Sequence, residues 1–279
     1  MKKITPFIFI MAILMVACKQ REPQPAAKPD AGRFYQAMNS LFAEANAARS
    51  ARNDSLPIIN ARLLDTLVYY KDIILSLGDS TLNPDTAYVP LYIARSADRK
   101  LSIVSWDTQE GGTMIDYASV AFYQAGNGVG YRRLIDTSMG DTMNSMIHYD
   151  TVVTVNNNGN PIYIARGFGQ GSSSLKWEML SAFAIENNVL TEPAIFPEFE
   201  EPAPGAVYAQ QLSSTRFSHI IGIEFDLHYV KPDFVSTRPI AIFSDQSRSL
   251  QIPVVAEDGG NTKDYFRLQF TGGHYVPVK

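Results

Sequence analysis

The chain has 279 residues, 46% of them hydrophobic and 19% charged, which excludes a wholly disordered or collagen-like polymer. Lys and Arg total 24 against 28 Asp and Glu, a formal charge of −4 that gives no electrostatic footing on phosphate backbones, so no nucleic-acid partner is expected. A single cysteine rules out an internal disulfide and a cysteine-held zinc.

In chain order, Lys2-Lys3 precede an apolar run from Phe7 to Ala17, and the small residue Ala17 is followed by Cys18. Two cations, a short apolar core and a small residue have the form of a secretory signal peptide, and the run is well short of the ~20 residues a spanning helix needs. Met15-Val16-Ala17-Cys18 resembles the lipobox of bacterial lipoproteins, with Met15 where leucine is usual. The resemblance implies removal of residues 1–17 and lipidation of Cys18, which makes Cys18 the lipid-attachment residue and the membrane its first partner. Two or more acyl chains anchor stably, at about 0.8 kcal/mol per buried methylene. Lys19 stands where an aspartate would signal retention at the inner membrane. The resemblance therefore implies a place in the cell envelope at the outer membrane, with the face left open. From Cys18 to Gly32 the chain carries Pro23, Pro25 and Pro29, which predicts an extended tether of roughly 40 Å at ~3.1 Å per residue.

Residues 33–78 predict a helical segment. Phe34, Tyr35, Ala37, Met38, Leu41, Phe42, Ala45 and Ala48 recur at three- and four-residue spacing. A second helix is predicted from Pro57 to Leu77, with Leu64, Leu67, Val68 and Leu75 inward and Gly78 as its stop.

Residues 88–279 predict a mainly β fold: antiparallel meander sheets, as in a sandwich, barrel or propeller, behind N-terminal α-helices. The expected strands are Tyr88–Arg95, Lys100–Trp106, Tyr117–Tyr123, Val129–Ile135, Met146–Val155, Pro161–Gly167 and Leu175–Ile185. Asn156 to Asn160 have hairpin chemistry, and Gly126 to Gly130 and Gly167 to Gly171 also suggest hairpin turns. Pro90-Leu-Tyr-Ile-Ala-Arg95 is echoed by Pro161-Ile-Tyr-Ile-Ala-Arg166 and faintly by Pro239 to Phe243; Tyr117 to Phe122 matches Tyr265 to Phe270. These echoes suggest three weak repeats, 90–135, 161–197 and 239–279, although shared strand composition explains them equally well. Thr191 to Gly205, with four prolines and Glu198, Glu200 and Glu201, reads as an exposed connector.

Catalytic signatures are sparse. Neither glycine cluster is a dinucleotide fingerprint, and His-Glu-x-x-His and Gly-x-Ser-x-Gly are missing. Ser173 to Lys176 matches Ser-x-x-Lys but reads as strand, whereas that chemistry needs a helix. No catalytic residue, metal ligand or cofactor is therefore assigned. Five candidate ligand-binding residues remain. Glu224, Asp226 and His228 share one face of a predicted 219–229 strand, where they suit an acid–base or metal site or simply form its wet face. Trp106 and Trp177 are either stacking platforms for a glycan or core residues. The body as a whole resembles uncharacterised exported lipoproteins of Gram-negative bacteria and no enzyme family. The expected function is a lipid-anchored, non-catalytic binding or interaction module whose partner is a glycan or an envelope protein. The alternative is an envelope hydrolase built on the 219–229 strand.

Overall fold

The computed structural model describes residues 30–52, 54–76, 91–112, 115–134, 147–170, 175–200, 211–226, 242–255 and 261–278. Cys18, the leader, most of the tether, Gly78, His228 and Pro239 lie outside the described residues.

Helix α1 spans Ala31–Ala51, with Asp30 as its N-cap accepting from the Arg33 N–H at 2.9 Å. Ala31 and Gly32, expected in the tether, are thus helical. Of the predicted stripe, Phe34, Met38, Leu41, Phe42, Ala45 and Ala48 are buried, whereas Tyr35 and Ala37 are only partly buried. Helix α2 is Leu56–Tyr69, opened by Pro57, whose missing N–H costs nothing in a first turn. Its buried positions are Ile59, Leu63 and Leu67; Leu64 and Val68 are only partly buried. The second predicted helix breaks at Tyr70, beyond which a single turn, α3 (Lys71–Ile74), carries Ile74 inward.

Three antiparallel meanders follow. The first is β1 (Leu91–Arg95), β2 (Leu101–Asp107), β3 (Tyr117–Ala125) and β4 (Gly128–Leu134), hydrogen-bonded in that order. The second is β5 (Ile147–Asn157), β6 (Asn160–Gln170), β7 (Leu175–Glu186) and the short β8 (Val189–Thr191). A ribbon of β9 (Phe196–Glu200) and β10 (Gln211–Ser218) then turns at His219 into β11 (Ile220–Asp226), which pairs with the first half of β7. The third meander is β12 (Ile242–Ser244), β13 (Ser249–Val255), β14 (Asn261–Thr271) and β15 (His274–Pro277). The fold is therefore mainly antiparallel β with N-terminal helices, and its described sheets do not close into a barrel.

The layers stack in chain order. Helices cover the first meander through Leu91, Val104, Trp106, Val120 and Phe122. Its opposite face, with Leu101, Ile103, Ala121 and Tyr123, packs on Tyr163, Ala165 and Phe183 of the second. Ile162, Ile164, Leu180 and Ala182, on the other side of the second, pack on Leu250, Ile252, Leu268 and Phe270 of the third. Alternate residues of one strand thus enter different cores, so the central strands are apolar on both faces.

Three sequence readings are corrected. The Pro90 and Pro161 echoes occupy different places, for Leu91–Arg95 is a first strand and Pro161 to Arg166 a second one. Trp106 and Trp177 likewise fall in second and third strands, and the middle sheet starts at Ile147 instead of 161. This pair of echoes reflects the few residue types that suit a doubly buried strand, whereas Tyr117 to Phe122 and Tyr265 to Phe270 do fall in equivalent third strands, β3 and β14. Second, Gly167 and Gly169 lie inside β6 and make no turn. A Cβ on Gly167 would stand 2.3 Å from Ile147 Cγ2, so glycine there serves the close passage of β5. Third, the acidic connector contains β9, with Ile195, Phe196 and Pro197 buried and Phe196 stacked on Tyr275 at 5.7 Å. Within β9 its charge sits on the half-buried Glu198 and the exposed Glu200. The Asn156 to Asn160 hairpin forms as expected, with Asn158 and Gly159 at φ 53° and 90°.

Gly167→Ala is expected to destabilise the fold by about 1–3 kcal/mol through overpacking. Ile147→Ala in the same chain removes the clashing methyl, so the double mutant should cost less than the two single changes added together, read from urea midpoints.

Candidate functional site

The two ends of the stack differ in their connections. At one end every link within a meander is a tight turn: 126–127, 158–159, 187–188 and 272–273, with 96–100 and 245–248 slightly longer. The opposite end carries the longer connections, 108–116 among them. Chemistry-bearing side chains collect at this second end, as is usual for loops on a rigid scaffold.

Two polar constellations lie there. The first joins the helices to the first meander. Trp106 Nε1 donates to Asn60 Oδ1 at 2.9 Å, and Asn60 Nδ2 donates to Thr108 O at 2.9 Å and to Glu110 Oε1 at 2.7 Å. Next to it, Gln109 Nε2 donates to Asn46 Oδ1 of α1 at 3.0 Å. Gln109 is 5% exposed, has a left-handed φ of 61°, and buries its Oε1 without a hydrogen-bond partner among the described residues. A strained backbone and an orphaned acceptor at one residue mark a place where packing overrides local preference. Between α2 and the sheet a cleft of about 300 Å³ opens, with Leu64 and Trp106 deep and Asp65, Glu110 and Arg133 at its rim. The size suits a small polar ligand.

The second constellation lies where β5 crosses the first meander. Ser119 Oγ is 2.8 Å from Ser105 Oγ and 3.2 Å from Ile147 O, and the Tyr149 N–H donates to Ser105 Oγ at 3.1 Å. His148, between those two pinned residues, stacks on Tyr92 at 4.1 Å and tilts against Tyr117 at 4.8 Å and Phe168 at 6.0 Å. Burial lowers its pKa to about 4, against the pull of the Asp150 carboxylate and a backbone hydrogen bond at Phe168. Burial and the Asp107 charge push Tyr92 and Tyr117 up, Tyr117 also feeling Tyr92. Asp107 is itself raised, by burial first and Asp116 second, although the Gln109 N–H and Arg49 oppose this. Asp150 is held by Arg166 through Nη2 at 2.9 Å and Nε at 3.1 Å, and that guanidinium lies 5.2 Å over Phe168. At neutral pH the cluster is thus an uncharged, aromatic lining with acids at its border.

The sequence-derived candidates scatter. Trp106 is 2% exposed, so its indole is a core side chain and no open stacking platform. Trp177 is half-buried in β7, in register with Gly169 on one side and Glu224 on the other. Asp226 pairs with Leu175, and His228 lies outside the described residues. Trp177, Glu224 and Asp226 therefore share the loop-bearing end of the second meander, whereas Trp106 belongs to the first. Lys176 stands in strand β7, in keeping with the strand reading of Ser173 to Lys176. Among the described residues no group of three or more His, Cys, Asp and Glu is placed to hold a metal ion, and no helix is long and apolar enough to cross a membrane. Sequence reasoning missed Asn60, Gln109, Tyr92, Tyr117 and His148. Only His148, one of four histidines, carried any signal, and its neighbours are brought to it by tertiary packing.

No family model, curated protein or solved structure matches the chain.

Asn60→Ala strips the partner from the Trp106 N–H and the Thr108 carbonyl, and is expected to cost about 1–3 kcal/mol. Asn60→Asp, which keeps an acceptor for Trp106 but loses the donor to Thr108 and faces Glu110, should also destabilise. Denaturant titrations of both variants check this.

Proposed function

We propose that this chain is an exported lipoprotein, fastened through Cys18 to the outer membrane, whose folded body works as a binding module. The observation that carries the reading is the order at the N-terminus: two lysines, an apolar run, then the chain's sole cysteine behind Val16-Ala17. The proline-bearing stretch after it supports the same reading, because Asp30 caps α1 directly at its end. A spacer that runs into a capped helix suits a body held off a lipid surface. Lys19 in place of aspartate favours the outer membrane within this reading.

Binding fits the body better than turnover does. The cleft beside Asn60 combines an apolar floor with a charged rim, which is the composition of a recognition site. Trp177, half-buried at the loop-bearing end, offers a second contact of the kind that stacks on sugar rings. A glycan or another envelope protein is the partner these surfaces would take.

Cys18→Ala is the deciding variant. It should abolish incorporation of labelled palmitate and move the protein from the membrane pellet to the soluble fraction. Unchanged labelling would overturn the anchor. For the module, Ala61→Trp fills the cleft and should weaken retention of solubilised cell-wall glycan at least tenfold; equal retention by both proteins would remove the cleft from the reading.

A further inference from the structure

The first two meanders are fastened to each other at both ends, by different chemistry. At the tight-turn end, Tyr163 Oη donates to Asp98 Oδ2 at 2.8 Å, and Arg132 reaches Leu190 O at 3.1 Å and the Glu192 carboxylate. At the loop-bearing end the fastening is the crossing of β5, pinned by Ser105 and Ser119, with the His148 ring set among Tyr92, Tyr117 and Phe168. His148 Nδ1 is buried there without a hydrogen-bond partner among the described residues.

We propose that His148 is an acid-operated clasp: its protonation loosens the seam between the first and second meanders at the loop-bearing end while the tight-turn end stays fastened.

The geometry makes the imidazole the weak point of that seam. A proton on Nδ1 creates a donor that no acceptor satisfies among the described residues, in a half-buried aromatic lining that hydrates it poorly, and the Phe168 backbone, which favours the charged ring, offsets this only in part. The titratable and charged groups around it, among the described residues, are Tyr92 of β1, Asp107 of β2, Asp116 and Tyr117 around the start of β3, Asp150 of β5 and Arg166 of β6. The phenols stay neutral across the acid range. Asp150 is already bridged by Arg166, which blunts its attraction. Asp107 is raised and so loses its charge early on acidification, when a counter-charge would be needed.

The sign follows from linkage. The folded value of His148, about 4, lies below the 6.5 of a free imidazole. The stability owed to the neutral ring is complete above pH 6.5, falls as the pH drops, and is gone below about 4. Asp107 acts oppositely, since a raised carboxyl favours the folded chain in acid. Asp98 is different again: burial alone would raise it, but hydrogen bonds from Ser96, Lys100 and Tyr163 hold it below the ordinary value. Its contribution therefore persists until the pH falls below the ordinary carboxylate range. The two fastenings let go in separate windows.

The test uses the folded chain from residue 18 onward, with the imidazole carbon of His148 followed by NMR from pH 8 to pH 3.5 and amide exchange measured in parallel. The ring should titrate near pH 4. Protection of the Tyr149 amide, corrected for intrinsic chemistry, should fall on the order of a hundredfold between pH 7 and pH 4. Protection of the Ser96 amide, at the tight-turn end, should stay level. His148→Phe keeps the ring stack and should remove the pH dependence at Tyr149. A ring that titrates near 6.5, or equal loss of protection at both ends, overturns the clasp. The wild-type titration alone decides the matter if the phenylalanine variant does not fold.

Discussion

An edge strand leaves a row of amide and carbonyl groups without partners, and the body of this protein depends on how β5 disposes of them. β5 borders the second meander on the side away from β7, so among the described residues no strand of its own sheet lies beyond Ile147 and Tyr149. They are met instead by Ser119 and Ser105, hydroxyls that stand on the inner face of the first meander among Leu101, Ile103 and Ala121. Two buried serines therefore exchange hydrogen bonds with a crossing strand, a pairing that apolar side chains could not supply. The arrangement also covers an edge that would otherwise be open to pairing with another chain. Gly167 completes it by leaving room for Ile147, and without that space the crossing could not come close enough for the serines to reach.

Once two sheets are joined this way, the rest of the stack follows from sidedness. A meander whose two faces are both apolar cannot end a stack, because the uncovered face would meet water. The first meander is closed by the stripes of α1 and α2, and the third presents Gln251, Arg267, Gln269 and Thr271 away from its core side. Repeat architectures use the same device, a terminal unit with a polar outer surface. The β9–β10 ribbon serves a related purpose by packing Phe196 and Phe199 beside Tyr275 and Phe266, at one margin of the second and third layers.

Much of this was legible in the residues, and the failures have common physical roots. Six of the eight α1 stripe positions are buried, with Tyr35 and Ala37 at its margin, because a three-and-four spacing has no other stable use. The strands of the first two meanders were found to within a few residues for a similar reason, since β-branched and aromatic runs between Asn and Gly turns leave few choices. What misled was similarity of composition. A doubly buried strand admits so few residue types that Leu91–Arg95 and Ile162 to Arg166 look alike while holding different positions. The same poverty hid Gly167, whose role depends on Ile147 crossing twenty residues away, and Phe196, whose apolar side was masked by prolines and glutamates around it. The Asn60 and His148 constellations were beyond reach altogether, because each gathers partners from three or four elements and no local pattern records that. Trp106 was spotted as a residue of consequence, yet its consequence is internal: its ring fills the core beneath the helices.

The attachment of α1 has a mechanical side. Among the described residues it is held to the remainder by the side chains of one stripe, the Arg62–Glu44 bridge to α2, the Asn46–Gln109 hydrogen bond and the pull of Arg49 on Asp107, whereas the meanders behind it are sewn together strand by strand. A load applied at Asp30 meets the helix at its leading turn and so peels the stripe one residue at a time instead of shearing it all at once. Such a geometry yields at low force, absorbs stretch by paying out helix, and keeps strain from reaching the sheets until about twenty residues have been drawn off.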